Sequence, residues 1–176
     1  SRGGTLHVTV EGLSTYGAAA VTARTTTTVP DGRAGVAYAG VPASKLLRFP
    51  VTIPGLRQDG LDRSNVAVLN AGAPGDGDVT LRLTVISGDP DDARSLVLPD
   101  VTVPPGGFRQ LSGVLSTAGL RNGAVTVERI AGLAPFYAYG VLNDEANGDG
   151  SFVEPVRTRP TRRIPRMTLP VVVESA

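Results

Sequence analysis

The loop from residue 143 to residue 151, NDEANGDGS, concentrates side-chain oxygens and glycines. Ca²⁺ binds about six to eight oxygen ligands on a backbone that folds around the ion. The candidate ligands are Asn143, Asp144, Asn147 and Asp149. The loop lacks the carboxylate spacing and the terminal Glu of an EF-hand, and Asn or Asp before Gly is also typical of a hairpin turn. The sequence therefore favours a turn and predicts no cofactor, with a Ca²⁺ site as the alternative. The stretch Ala73–Asp78 is a weaker example of the same composition.

A run of arginines lies between Pro155 and Arg166, with no acidic residue among them. Its members are Arg157, Arg159, Arg162, Arg163 and Arg166. The interleaved prolines favour an extended backbone. Guanidinium groups in such a run suit an anionic glycan, a nucleic acid or an acidic neighbouring subunit. The net charge of +1 and the lack of aromatic residues in the run argue against nucleic acid. We expect a solvated surface segment without a specific ligand, and contact with an anion or a partner is the alternative.

A short apolar strand, LPVVV, is predicted at Leu169–Val173. In a closed domain this segment is simply the last strand. In an assembly, Leu169, Val171 and Val173 would instead complete the open sheet edge of a neighbour, because backbone hydrogen bonds give affinity and alternate side chains give register.

Residues that would support catalysis are scarce. His7 is the only histidine and falls on the polar side of an alternating segment, where we expect it to face solvent. The sequence contains no G-x-S-x-G, H-E-x-x-H, P-loop or dinucleotide-binding motif. It has no cysteine, which excludes disulfides and thiolate metal sites. A carboxylate-only glycosidase is disfavoured by an aromatic content of 5% without Trp. The sequence therefore predicts a protein that is not an enzyme.

The elements that must position these residues read as short strands. Residues 79 to 86 alternate apolar and polar, which is the period of a half-buried strand, and residues 4 to 11 alternate in the same way with Leu6, Val8 and Val10 on one side. Further strands are predicted at 16–28, 46–53, 65–70, 96–103 and 108–115, with a loose connection over 33–44 and one helical turn within 116–122. Gly, Pro and Asp turns separate these runs. The pattern predicts an all-β fold, an antiparallel two-layer β-sandwich.

An internal repeat is the main organisational feature of the sequence. Gly4–Arg24 aligns with Gly123–Asp144 at an offset of about 120 residues, as between Gly12 and Gly132. The repeated unit is a three-strand half-domain, about 4–54 and 123–174. We expect one continuous body over residues 1–176, in which the halves 1–56 and 123–176 flank an unrepeated middle, 57–122. The alternative is that 1–56 is an orphan half of an upstream module and 57–176 is a complete sandwich.

Three motifs carry a resemblance to a known kind of module. They are Arg63-Ser64-Asn65 before an apolar strand that ends in Asn70, Pro104–Phe108 before Gln110, and Tyr137–Asp144. Over roughly 62–153 the chain resembles a tandem, immunoglobulin-like β-sandwich module of secreted and cell-surface bacterial proteins. The resemblance implies the architecture and an extracellular location at the bacterial surface, and it implies no catalytic residue.

These observations lead to one expected function and one alternative. We expect a non-enzymatic extracellular structural or adhesive β-sandwich, a subunit of a surface fibre or a stalk module of a larger surface protein. Its partners would be copies of itself or neighbouring modules. The alternative is a glycan- or protein-binding accessory module of a secreted hydrolase. No nucleic-acid partner is expected, and no membrane insertion, since no segment approaches the roughly 20 apolar residues of a membrane span.

Overall fold

The computed structural model describes residues 4–14, 17–30 and 32–158. Its strands are β1 (Thr22–Val29), β2 (Gly32–Ala39), β3 (Val51–Arg57), β4 (Asp62–Asn70), β5 (Val79–Ser87), β6 (Ser95–Val97), β7 (Val101–Val103), β8 (Phe108–Ser112), β9 (Asn122–Ala131), β10 (Phe136–Asp144), β11 (Gly150–Val153) and β12 (Val156–Arg157). A 3₁₀ turn spans Ala43–Lys45, and one short helix, α1, spans Val114–Thr117. None of the helices in the described ranges is long and apolar enough to cross a bilayer.

Two antiparallel sheets pack face to face and enclose the core. One has the order β11-β10-β4-β8, and the other has the order β12-β3-β9-β5-β6, with β7 also pairing with β5. Side chains from both sheets meet in one apolar cluster that includes Phe136, Val66 and Val68 from the first and Ile53 and Val127 from the second. The prediction of an all-β, two-layer antiparallel sandwich is confirmed.

Strand β5 follows the alternation of its sequence. The side chains of Val79, Leu81, Leu83 and Val85 are all 0% exposed. The intervening residues lie on the outer face, where Arg82 forms a two-bonded ion pair with Asp100. Because β5 pairs with β9 over eight positions and with β6 and β7 on its other side, both of its edges are hydrogen-bonded. The single buried face of β5 is what strict alternation predicts.

A buried asparagine fixes the end of β4. Asn70 is 0% exposed. Its Nδ2 donates to the carbonyl oxygens of Gly77 and Val103, both at 3.0 Å, and its Oδ1 accepts from the Gly72 amide at 2.9 Å. One side chain thus ties the 71–78 turn to β7. Such bonds are needed because an unpaired polar group is costly in an apolar interior.

The N-terminal region differs from the sequence-based prediction. Residues 4–14, which we call the N-terminal arm, and residues 17–21 contain no strand, so the strand predicted over 4–11 is wrong. The next strand begins only at Thr22, and the connection predicted as loose contains β2. The strand predicted over 46–53 begins instead at Val51. The arm alternates as a strand does, but no described strand pairs with it, and alternation alone does not supply a partner.

The internal repeat is not seen as a structural repeat. Residues 123–144 form parts of β9 and β10, which are consecutive in the chain and lie in opposite sheets, whereas their sequence counterparts contain the arm and only the start of β1. The two segments of the repeat therefore share their apolar spacing but differ in secondary structure. The second half of the repeat beyond residue 158 lies outside the described residues.

Candidate functional site

Strands β1 and β2 form a hairpin that packs against the four-stranded sheet, on the side away from the core. The contact is aromatic. The ring of Tyr38 on β2 lies 5.9 Å from that of Tyr139 and 5.7 Å from that of Phe152, both edge-to-face, and Tyr139 and Phe152 are 5.0 Å apart. Edge-to-face pairs at these distances stabilise the packing beyond the effect of the apolar area that they bury. The cluster holds Tyr38 in a fixed position.

A backbone contact anchors the other end of the hairpin. The Gly35 amide donates to Oδ1 of Asp149 at 3.0 Å. Val36 is buried, and its side chain occupies the space beside Gly150, where an added Cβ would clash with Val36 Cγ2. Glycine at position 150 therefore lets the hairpin approach the sheet closely.

A cleft of about 260 Å³ lies between the hairpin and the sheet. The residues around it are Thr25, Thr26, Thr27, Gly35, Val36, Tyr38, Asn65, Gln110, Val141, Asn143 and Gly148. Thr25 pairs with Val36 in the hairpin, so its side chain shares the face that turns toward the sheet. None of these lining residues carries a charge at neutral pH, and they combine hydroxyl, phenol and carboxamide groups with two buried valines.

Asn65 is the buried polar residue of the cleft. It is only 7% exposed. Its Oδ1 accepts from the Gly113 amide at 3.2 Å, while its Nδ2 donates to no other residue in the described part of the chain. Within the same ranges, the side chain of Gln110 makes no hydrogen bond either. Both amide groups remain open to solvent at the cleft, where water or a ligand can accept their hydrogens.

The predicted calcium ligands lie together in the β10–β11 turn, but their oxygens bond to the backbone. Oδ1 of Asp144 accepts from the amides of Ala146 and Asn147 at 2.7 and 3.2 Å, and Oδ1 of Asn147 accepts from the Asp149 amide at 2.6 Å. Asn143 instead donates from Nδ2 to the Arg63 carbonyl at 3.3 Å. This is the pattern of a hairpin turn closed by its own side chains. Across the described ranges, no three His, Cys, Asp or Glu residues gather in a group suited to a metal ion.

The weaker candidate loop, Ala73–Asp78, has the same character. Oδ2 of Asp76 accepts from the Ala73 amide at 2.8 Å, and the loop is tied to the core through Asn70. Its acidic side chain therefore stabilises the turn.

Of the arginine run, only Arg157 falls within the described residues. Its guanidinium carbon lies 3.5 Å from the ring centroid of Phe49, a cation–π contact. A second cavity of about 470 Å³ opens beside this pair, with Glu128 also on its wall. Arg159, Arg162, Arg163 and Arg166 lie outside the described residues, as do the strand-donation candidates Leu169, Val171 and Val173.

The arm exposes apolar side chains at alternate positions. Leu6, Val8 and Val10 are 81%, 52% and 46% exposed. His7 is exposed too, as the sequence predicts. Three apolar side chains at alternate positions would all lie on one face if the arm added to a sheet as a strand.

Burial changes the acidity of the tyrosines beside the cleft. It raises the pKa of the Tyr139 hydroxyl to about 12, with smaller contributions from Tyr38 and Tyr137. The pKa of Tyr137 is raised for the same first reason, and the nearby Glu154 adds to it. Both hydroxyls stay neutral well above physiological pH.

Sequence reasoning missed the cleft residues. Tyr38, Gln110 and Asn65 are far apart in the chain, and only the docking of the hairpin brings them together. The one available signal was Asn65, a polar residue at the start of an apolar run that the resemblance had already singled out.

Comparisons with protein-family models, curated proteins and solved structures find no match to this chain.

Proposed function

We propose that the protein is a non-enzymatic structural or adhesive module of the bacterial cell surface that assembles with copies of itself. The observation that carries this proposal is the exposed apolar side of the N-terminal arm. Leu6, Val8 and Val10 are between 46% and 81% exposed in a segment whose alternation suits a β-strand. A strand-like segment with an apolar side and no sheet is suited to pair with the edge of another chain.

The described part of the molecule offers an edge for such a strand. Strand β1 is paired with β2 on one side only, and seven of its eight residues are exposed. Its sequence, TARTTTTV, is rich in β-branched threonine, which favours extended backbone. Because β1 is about as long as the alternating part of the arm, the arm of one copy fits the β1 edge of another.

The strength of this contact is modest. Full burial of an exposed aliphatic side chain contributes about 1.5–3 kcal/mol. Leu6, Val8 and Val10 are 81%, 52% and 46% exposed, so covering what remains exposed contributes about 3–5 kcal/mol in all. The loss of translational and rotational freedom on association costs about 4–15 kcal/mol. The backbone hydrogen bonds between the arm and β1 must supply the remaining free energy of association. We expect isolated subunits to associate with a dissociation constant in roughly the micromolar to millimolar range.

Sedimentation velocity over a wide concentration range tests the proposal. The unaltered chain is expected to show a mass that rises with concentration, and the double variant Val8→Asp/Val10→Asp is expected to stay monomeric. The matched control, His7→Asp/Thr9→Asp, adds the same charge on the polar side and is expected to retain association. A monomer at all concentrations, or equal association of both double variants, would refute assembly through the arm.

A further inference from the structure

The cleft between the hairpin and the four-stranded sheet has the chemistry of a binding site for a small neutral ligand. The geometry points to a single sugar ring as the occupant. This inference goes beyond self-assembly and does not depend on it, because it uses the hairpin, β4, β8 and β10 and no residue of the arm.

The hydrogen-bonding groups of the cleft match those of a polyol. Asn65 supplies an amide donor, Thr25 supplies a hydroxyl that donates or accepts, and Gln110 supplies both an amide donor and a carbonyl acceptor. Asn143 uses its Nδ2 on the Arg63 carbonyl, which leaves its Oδ1 as an acceptor. Each hydroxyl of a sugar both donates and accepts, so a mixed set of this kind satisfies it where a purely donating or purely accepting wall would not.

The absence of charge within the cleft narrows the ligand class. None of its lining residues is Asp, Glu, Lys, Arg or His. An anionic ligand would lose its hydration without gaining a counter-charge, and a cation would do the same. Neutral ligands are therefore favoured over the charged glycans that the arginine run would attract.

An apolar surface completes the site. Val36 and Val141 are buried at its base, and the Tyr38 ring is held by Tyr139 and Phe152. The C–H side of a sugar ring packs on aliphatic and aromatic surfaces of this kind, as ligand pockets in general combine apolar walls with a few placed polar groups. The cleft volume of about 260 Å³ is below the roughly 300–1,000 Å³ of pockets for drug-sized ligands, so it suits one ring.

Asn65 places a fixed amide donor in the cleft. The Gly113 amide holds its Oδ1, and its Nδ2 donates to no residue in the described part of the chain and stays open to solvent. A ligand hydroxyl that accepts from Nδ2 would take the place of water there. This hydrogen bond gives the site selectivity for a hydroxylated ring over an apolar molecule of the same size.

Titration of the ¹⁵N-labelled protein with glucose, galactose, mannose and N-acetylglucosamine, each to high millimolar concentration, tests the proposal. At least one sugar is expected to shift the amide signals of Gly35, Asn65 and Val141 with a saturable, millimolar dissociation constant. The affinity is expected to be the same at low and high salt, since no charge takes part. Cyclohexanol serves as the apolar probe and is expected to give no such saturation.

Variants separate the cleft from non-specific binding. Gln110→Ala and Thr25→Val are each expected to weaken binding about fivefold, the effect of one lost hydrogen bond. Both residues are exposed, so both variants should fold. Thr28→Val, on the opposite face of the same hairpin, is the matched control and is expected to bind normally. No saturable shift with any of the four sugars, or equal binding by all three variants, would overturn the assignment.

Discussion

Removal of the Asn70 side chain is expected to cause the largest loss of stability of any single polar substitution in the described core. Asn70→Ala deletes two donated bonds and one accepted bond, all of 2.9–3.0 Å, at a residue that is 0% exposed. At about 1 kcal/mol per bond the direct loss is about 3 kcal/mol. The carbonyls of Gly77 and Val103 and the Gly72 amide are also left unpaired, which brings the expected loss to about 3–5 kcal/mol.

Urea unfolding followed by far-ultraviolet circular dichroism measures this loss. Asn147→Ala is the matched control, because it deletes the same side chain from an exposed turn, and we expect it to cost about 0.5–1 kcal/mol. A loss below about 1 kcal/mol for Asn70→Ala, or an equal loss for both variants, would refute the role given to Asn70.

Asn70→Asp extends the test to pH. The introduced carboxylate would face two carbonyl oxygens in a buried site, so its pKa in the folded state should lie above the unfolded value of about 3.9. A group with a raised folded pKa is stabilised below its unfolded pKa, and that stability is lost as pH rises through the folded pKa. The variant should therefore approach the unaltered protein in acid and fall away from it near neutrality. A constant difference across pH would contradict this reasoning.

Three further predictions follow from the hairpin, the buried tyrosine and a surface carboxylate. Gly150→Ala would press against Val36 and should release the hairpin at a cost of about 1–3 kcal/mol, read as new hydrogen exchange in β2, whereas Gly75→Ala has open space and should change nothing. Burial raises the pKa of Tyr139 to about 12, so the stability that its neutral hydroxyl contributes should be present below pH 10 and lost between about pH 10 and 12. Tyr139→Phe should remove the last step in the ultraviolet titration of tyrosinate. An unchanged titration would count against the burial of Tyr139. The pKa of Asp92 is lowered to about 2, first by its hydrogen bond with the Arg94 side chain. The contribution of Asp92 to the free energy of unfolding is present above the model-peptide pKa of about 3.9 and is lost toward pH 2. Asp92→Asn should therefore flatten the acid side of the stability curve, measured by urea unfolding at several pH values.

Local patterning was enough to predict the fold class. In β5 the buried positions coincide with every second residue, so that its location and its buried face were both readable from the sequence. The arm shows the limit of this reasoning. Leu6, Val8 and Val10 alternate as clearly as the valines and leucines of β5, yet no described strand pairs with them. Alternation states which side of a strand would be buried, and a neighbouring strand decides whether the strand forms.

Strand β2 shows the opposite error. Its sequence, GRAGVAYA, is rich in glycine and alanine, which are poor strand formers, and it was predicted as a loose connection. Its buried residues Ala34 and Val36 are small enough to lie close to the sheet, and Tyr38 joins the aromatic cluster. Tertiary packing outweighs weak local propensity here. The cleft was beyond prediction for the same reason, since it exists only where β2 docks.

Hydrogen exchange of the arm amides, compared at low and high protein concentration, tests self-assembly most directly. If the arm of one copy pairs with a strand edge of another, the amides of residues 5–11 should exchange freely in dilute solution and become protected as concentration rises. Val8→Asp/Val10→Asp should abolish that protection and leave β5 protected as before. Exchange of the arm at the rate of a free peptide at every concentration would contradict assembly through this segment.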